Sequence, residues 1–150
     1  MNSPIEGYDE RQLSLRHKFG YQAFFLLLGM TALNAYICNV FYVWGDQAVM
    51  SLSLILISTY YFGIRTISSG AYTGDKKSEK RAAVSLPFVC GFHVVFLLWM
   101  LPLVNRGHIA FIEDGKAALP FISLLSSFII IPFTIVYYVK RSRDKKEERS

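Results

Sequence analysis

The stretch RTISSGAYTGDKKSEKR, residues 65–81, decides the fold because it is a polar, basic segment set between long apolar runs. It carries five of the sixteen Lys and Arg residues of the chain. Gly70 and Gly74 are typical of turns, and neither a GxGxxG nor a GK[ST] pattern surrounds them, so a phosphate-binding loop is not indicated. The stretch therefore divides the chain into two apolar halves.

Four segments in these halves lack Asp, Glu, Lys and Arg: residues 19–43, 48–64, 82–104 and 117–139. At ~1.5 Å per helical residue, each has the length to cross a hydrocarbon layer of ~30 Å, the second only just. A hydrophobic content of 53% and a mean hydropathy of +0.33 agree with this. We predict an all-α integral membrane protein whose four transmembrane helices form two antiparallel hairpins joined by residues 65–81.

The two ends of the chain are polar. Residues 1–18 begin acidic and end basic, and Asp9 is placed to cap a helix, so a short interfacial helix is expected to run into the first span. Residues 140–150 form a charged tail that we expect to be frayed. The predicted organisation is thus an N-terminal segment (1–18), a transmembrane domain (19–139) and a tail (140–150).

The distribution of positive charge predicts the orientation. Fourteen Lys and Arg residues lie in the N-terminal segment, residues 65–81 and the tail, against two in residues 105–116. The positive-inside rule then places both termini in the cytoplasm of a multi-pass cell-membrane protein. The net charge of +5 comes from basic residues beside the span ends, which set the topology. We therefore expect no direct nucleic-acid binding.

A small set of polar residues falls inside the predicted spans. His93 lies about 16 Å from the near end of its span, close to the membrane midplane. It is either a functional intramembrane group or a neutral histidine bonded within the bundle, and the lack of carboxylates in the spans favours the second. The candidate intramembrane site comprises His93, Asn34, Gln22, Ser53 and Ser126.

The basic residues beside the predicted span ends form a second candidate site. They are expected to bind anionic lipid headgroups or a protein partner on the cytoplasmic side. The candidate surface comprises Arg11, Arg16, Lys18, Arg65, Lys76, Lys77, Lys80 and Arg81.

Recognisable catalytic chemistry is missing from the sequence. His108, Glu113 and Asp114 share the segment 105–116, but their spacing matches no known metal-ligand pattern, and a solvated loop is the simpler interpretation. We expect no catalytic residue, no cofactor and no metal, and therefore a protein that is not an enzyme.

One resemblance rests on short motifs. Asp9-Glu10-Arg11 precedes a basic, span-entering helix, and Tyr61-Phe62-x-Ile64-Arg65-x-Ile67-x-x-Gly70 follows. This arrangement, over residues 9–74, resembles small multi-spanning membrane proteins of Gram-positive bacteria grouped as families of unknown function. The resemblance implies a bacterial accessory protein, of a kind often encoded beside helix-turn-helix regulators, and it carries over no catalytic residue.

Two function classes follow. The leading hypothesis is an uncharacterised accessory or regulatory membrane protein that acts through a cytoplasmic or membrane partner of unknown identity. The alternative is a small transporter or channel, assembled as a homo-oligomer because four short helices enclose little volume, with His93, Asn34, Gln22 and Pro132 as its supporting residues. A membrane enzyme and an immunity protein are weaker alternatives.

Overall fold

The structure is a computed structural model that describes residues 8–72 and 76–147, apart from the side chains of residues 76–78 and 147. Within these residues the chain forms four α-helices and one two-stranded sheet. The helices are α1 (Glu10–Val40), α2 (Gln47–Ser68), α3 (Lys76–Asn105) and α4 (Pro120–Glu147), and the strands are β1 (Ile112–Glu113) and β2 (Lys116–Ala117). All four helices are long and apolar enough to cross a membrane, which confirms the prediction of four helices of span length.

Helix α1 is continuous from the polar N-terminal segment into the first apolar run. Asp9 caps it: the carboxylate accepts from the Gln12 backbone N–H at 2.6 Å, and the Gln12 side chain accepts from the Asp9 backbone N–H at 3.2 Å. This capping box satisfies two backbone donors at the helix start. The helix then runs for 31 residues, so no break separates the predicted short helix from the first span.

Helix α2 ends in a glycine turn. The N–H groups of Gly70 and Ala71 donate to the carbonyls of Ile67 and Thr66, at 3.0 and 2.9 Å, which is the Schellman pattern. Gly70 has a φ of 72°, a left-handed conformation that side chains disfavour. The turn folds Ala71 and Tyr72 back against the helix ends, and Ala71 is fully buried.

The helices contact one another in the order α1–α2–α4–α3. Helices α2 and α4 lie in the middle of this row, and α1 and α3 lie at its edges. The apolar windows of the two edge helices are each 6% buried, against 22% for α2 and 17% for α4. The fold is therefore an open row of helices with two apolar outer faces.

The outer faces carry large aromatic and aliphatic side chains. Examples on α1 and α3 are Tyr21, Phe24, Phe25, Leu28, Phe88, Phe92, Leu98 and Trp99, each about half exposed or more. Soluble monomers rarely expose contiguous apolar patches larger than a few hundred Å². These faces thus require an apolar environment or a partner.

Helices α2 and α4 meet closely at Gly63. The Phe133 ring packs against this glycine, and a Cβ at position 63 would overlap Cε2 of the ring. Phe133 also makes an edge-to-face contact with Tyr72, at 6.0 Å between ring centroids. Small residues allow such close approach between membrane helices. This contact joins the α1–α2 pair to the α3–α4 pair.

The structure adds detail to two polar segments. Residues 112–116 are exposed, as expected of a solvated loop, and residues 112–117 form a tight antiparallel hairpin with positive φ at both Asp114 and Gly115. An Asp-Gly pair favours this type I′ turn, so the signal was present in the sequence. The tail expected to be frayed is helical through Glu147, and residues 148–150 lie outside the described residues.

We predict that Gly63→Ala lowers the free energy of unfolding by about 1–3 kcal/mol, because the added methyl group must displace the Phe133 ring. The measurement is denaturant unfolding of the purified protein in detergent. Adding Phe133→Leu to Gly63→Ala should restore part of the lost stability, since the smaller side chain leaves room for the methyl group.

Gly91→Ala is the matched control, since a Cβ on Gly91 meets nothing within 4 Å. It should leave the unfolding free energy unchanged or raise it slightly, as expected for alanine in a helix. Equal effects of Gly63→Ala and Gly91→Ala would contradict the close contact between α2 and α4.

Candidate functional site

One end of the helix row gathers the start of α1, the end of α2, the start of α3 and the end of α4. We call it the basic end and define it as residues 8–18, 65–72, 79–81 and 140–146. Contacts join its parts: the Gln12 side chain donates to the Gly70 carbonyl at 3.1 Å, and Arg141 Nε donates to Glu79 Oε1 at 2.7 Å. Segments far apart in sequence thus meet at this end.

Arg16 links α1 to the chain that follows α2. Its Nη1 donates to the carbonyls of Ala71 and Tyr72, both at 3.3 Å, and to the Tyr8 hydroxyl at 3.1 Å. The guanidinium also lies over the Tyr8 ring, 4.6 Å from its centroid. Tyr8 in turn donates to the Tyr72 carbonyl at 3.1 Å. Arg16 therefore holds the fold together in addition to contributing charge.

Tyr72 lies where the four segments meet. Its ring makes edge-to-face contacts with Phe133 and Tyr137 of α4, with 6.0 and 5.7 Å between centroids. Burial raises the pKa of the Tyr72 phenol, Tyr8 adds to the rise, and Arg16 opposes it. The hydroxyl group is therefore protonated at neutral pH and able to donate a hydrogen bond.

Helices α3 and α4 are joined at the same level by polar contacts. The Tyr137 and Tyr138 hydroxyls donate to the carbonyls of Glu79 and Ala83, at 3.0 and 2.6 Å. Arg141 forms its ion pair with Glu79 nearby. Carbonyls at the start of a helix already accept intrahelical bonds, so these tyrosines use the second lone pair of each oxygen.

A pocket of about 410 Å³ opens among these residues. Its wall combines apolar and aromatic groups with charged ones. It is lined by Ile67, Gly70, Tyr72, Glu79, Lys80, Tyr137, Lys140, Arg141, Asp144 and Lys145.

Positive charge exceeds negative charge in the pocket. Each carboxylate pairs with one cation: Glu79 with Arg141 at 2.7 Å, and Asp144 with Lys140 at 2.8 Å. Lys80 and Lys145 are exposed at the surface, and neither forms an ion pair with a described residue. Two ammonium groups are thus left to attract an anion.

The described residues of the predicted basic surface fall into three groups. Arg11, Lys18, Lys80 and Arg81 are exposed. Arg65 is also exposed, yet its guanidinium lies 5.0 Å from the centroid of the Phe19 ring. Arg16 is bound within the basic end, as described above. The side chains of Lys76 and Lys77, also predicted for this surface, lie outside the described residues.

The predicted intramembrane residues bond mainly to their own or the adjacent helix. Gln22 accepts from the Tyr61 hydroxyl of α2 at 3.1 Å, and the Asn34 carbonyl oxygen accepts from Trp44 Nε1 at 2.6 Å. Ser53 and Ser126 donate to carbonyls of their own helices, those of Val49 and Ser123. His93 Nδ1 lies 2.9 Å from the Val89 carbonyl oxygen of α3.

The five residues are spread over all four helices: Gln22 and Asn34 lie on α1, Ser53 on α2, His93 on α3 and Ser126 on α4. Among the described residues, no hydrogen bond joins any two of His93, Asn34, Gln22, Ser53 and Ser126. Gln22 faces a neighbouring helix, which is usual for an amide inside a membrane span. His93 lies on α3, an edge helix of the row, with its side chain partly exposed.

The sequence analysis does not identify several residues that hold the helices together. Ser58 of α2 donates across to the Ala23 carbonyl of α1 at 2.7 Å, a contact between helices that the sequence does not reveal. Tyr72, Glu79 and Tyr137 were not singled out, although Tyr72 lies within the stretch that decides the fold. No group of three or more His, Cys, Asp or Glu side chains that could hold a metal ion occurs among the described residues.

Comparison with known proteins gives one match. A family model described as "Family of unknown function (DUF6773)" matches residues 4–150. No curated protein and no solved structure matches the chain. The prediction of a family of unknown function is confirmed, and the match extends beyond residues 9–74 to all four helices.

We predict that Arg16→Gln lowers the free energy of unfolding by about 1.5–3 kcal/mol, because it removes charge-assisted hydrogen bonds to the Ala71 and Tyr72 carbonyls. Arg11→Gln is the matched control, an identical change at an exposed position of the same helix, and should cost less than ~0.5 kcal/mol. Unfolding in detergent measures both. Equal losses in the two variants would show that Arg16 acts only through its charge.

Proposed function

The chain belongs to this family of unknown function, and we propose that it is a multi-pass membrane protein whose basic end faces the cytoplasm and binds a partner. In this proposal it is an accessory or regulatory protein and not an enzyme. The observation that carries the proposal is the gathering of polar contacts and positive charge at one end of four apolar helices.

The apolar outer faces support insertion in a membrane. The edge helices α1 and α3 expose aromatic and aliphatic side chains along most of their length. Buried hydroxyls inside the row bond to helix carbonyls: Ser53 to Val49, Ser127 to Ser123 and Thr134 to Ile130. Such internal satisfaction of polar groups suits a surrounding of lipid, where water is not available. We propose that the helices form two antiparallel hairpins, α1–α2 and α3–α4.

The orientation follows from charge. The basic end, residues 8–18, 65–72, 79–81 and 140–146, holds 11 of the 16 Lys and Arg residues. The opposite end carries the short β1–β2 hairpin and two basic residues, Arg106 and Lys116. The positive-inside rule places the first group in the cytoplasm.

A binding role accounts for the arrangement at the basic end. Arg16, Glu79 and Arg141 are engaged in contacts that hold the helix ends together. Arg11, Lys18 and Arg81 remain exposed. A rigid platform with exposed cations suits recognition of an acidic protein segment or of anionic lipid.

One observation supports the transporter or channel alternative. His93 is partly exposed on an edge helix, so a second copy of the chain could cover it and complete a path that one chain does not enclose. Reconstituted flux that is lost in His93→Ala would support this alternative, and the absence of flux in proteoliposomes would remove it.

We predict that Glu113→Cys reacts with a membrane-impermeant maleimide added to intact cells, whereas Ser142→Cys reacts only after the membrane is permeabilised. Both positions are exposed, at opposite ends of the row. Cys38 and Cys90 are replaced by alanine first, so that each variant carries one thiol. The reverse labelling pattern would overturn the orientation, and labelling of both positions in intact cells would overturn the topology.

We also predict that a photocrosslinking residue at Arg81 or Arg11 captures one defined partner in native membranes, while the same residue at Asp114 does not. All three positions are exposed: Arg11 and Arg81 lie at the basic end of the row, and Asp114 lies at the opposite end. Identical adducts from both ends, or none from the basic end, would contradict a partner-binding platform there.

A further inference from the structure

The pocket at the basic end, which we name the Tyr72 pocket, has the charge and shape of an anion site. We infer that it binds a phosphate group, carried by the headgroup of an acidic phospholipid or by a small soluble phosphate. A lipid source rests on the proposed membrane location, whereas the phosphate chemistry does not.

The first argument is the uncompensated charge. The pocket is lined by four cations, Lys80, Lys140, Arg141 and Lys145, and by the carboxylates Glu79 and Asp144. The ion pairs Lys140–Asp144 and Arg141–Glu79 use both carboxylates. Lys80 on α3 and Lys145 on α4 then remain as ammonium groups on two walls of one cavity. Hydrogen bonds from ammonium groups to phosphate oxygens are among the stronger polar contacts in proteins.

The ion pairs also fix the shape of the site. Glu79 holds Arg141 at 2.7 Å while its own backbone carbonyl accepts from the Tyr137 hydroxyl. These contacts join α3 to α4 across the pocket and so fix the helix segments that carry Lys80 and Lys145. Fixing the two helix segments lowers the cost of binding, because the backbone positions of the two lysines are already set before the anion arrives.

The second argument is the aromatic wall. Tyr72 lines the pocket and packs against Tyr137. The Tyr137 hydroxyl is committed to the Glu79 carbonyl, whereas the Tyr72 hydroxyl makes no hydrogen bond with a described residue. Because this phenol stays protonated at neutral pH, it offers a neutral donor beside the two ammonium groups.

The third argument is size and position. The cavity of about 410 Å³ lies within the ~300–1,000 Å³ range of small-molecule sites, so it holds more than a bare ion. Ile67 and the tyrosines line it together with the charged run that begins at Lys140. An apolar wall beside a charged one suits a phosphoglycerol headgroup with its ester-linked chains leaving towards the outer faces. Basic pockets between helices at the cytoplasmic side of a membrane bind such headgroups.

The test uses the purified full chain in a neutral detergent, with lipid binding followed by native mass spectrometry. Phosphatidylglycerol, phosphatidylcholine and inorganic phosphate are the probes. We expect one phosphatidylglycerol per chain, bound in preference to phosphatidylcholine. Lys80→Ala combined with Lys145→Ala should weaken it roughly thirtyfold, as expected for the loss of two cations near a headgroup.

The matched control is Arg143→Ala combined with Lys146→Ala. This pair removes the same charge from exposed positions of the basic end that do not line the pocket. It should change phosphatidylglycerol binding by less than about twofold, because charge outside the pocket adds little in detergent. Equal weakening by the two double variants would overturn the pocket in favour of a diffuse basic surface.

Two further variants distinguish a loss of binding from a loss of folding. Lys80→Arg combined with Lys145→Arg retains the charge and should retain binding. Tyr72→Phe removes a single hydroxyl and should weaken binding roughly fivefold while leaving the thermal unfolding temperature unchanged. Unaltered affinity in both the double alanine variant and Tyr72→Phe would overturn the proposal.

Competition distinguishes the two sources of phosphate. If millimolar inorganic phosphate displaces the lipid, and this displacement requires Lys80 and Lys145, the ligand is a soluble phosphate. If the bound lipid resists displacement by phosphate, the ligand is the lipid headgroup. Equal binding of phosphatidylcholine and phosphatidylglycerol would exclude both sources of phosphate and overturn the proposal. Because this assay is independent of topology, its failure is separable from failure of the cysteine-labelling experiment, which tests the proposed function.

Discussion

The packing of the Phe133 ring against Gly63 is the interaction on which the rest of the structure depends. It is a close contact between α2 and α4, the two helices that join the halves of the chain. In a lipid surrounding, apolar burial no longer drives helix association, so van der Waals packing at small residues must hold the halves together. The same ring supports Tyr72, and through it the whole basic end.

The basic end follows from this contact in short steps. Once α2 and α4 are adjacent, the glycine turn after α2 directs Tyr72 onto α4, and Arg16 binds the carbonyls that the turn presents. Helix α3 joins α4 through Tyr137, Tyr138 and the Glu79–Arg141 pair. The charges of distant segments then surround one cavity. Packing in the apolar part of the molecule thus determines the chemistry at its polar end.

Much of this architecture is predictable from the sequence, since long uncharged runs and an interrupting basic stretch specify four helices. The sequence also predicts that Asp9 caps the first helix. The Asp114-Gly115 pair is typical of a hairpin turn, although the sequence analysis does not predict a hairpin there. The order α1–α2–α4–α3 was not predictable, because it depends on which side chain fills the gap at Gly63. For the same reason Arg16 was assigned to the surface: nothing in the sequence shows that the carbonyls of Ala71 and Tyr72 will lie beside it.

The most direct test of the central claim is crosslinking of Tyr72→Cys to Tyr137→Cys in native membranes, in a chain whose own cysteines are replaced. The two rings are 5.7 Å apart, so a short bifunctional thiol reagent should join these positions within one chain. After proteolysis in the β1–β2 hairpin, the fragment that carries α1 to α3 and the fragment that carries α4 should stay together. Separation of these fragments, or crosslinks only between different chains, would contradict the contact of α2 with α4.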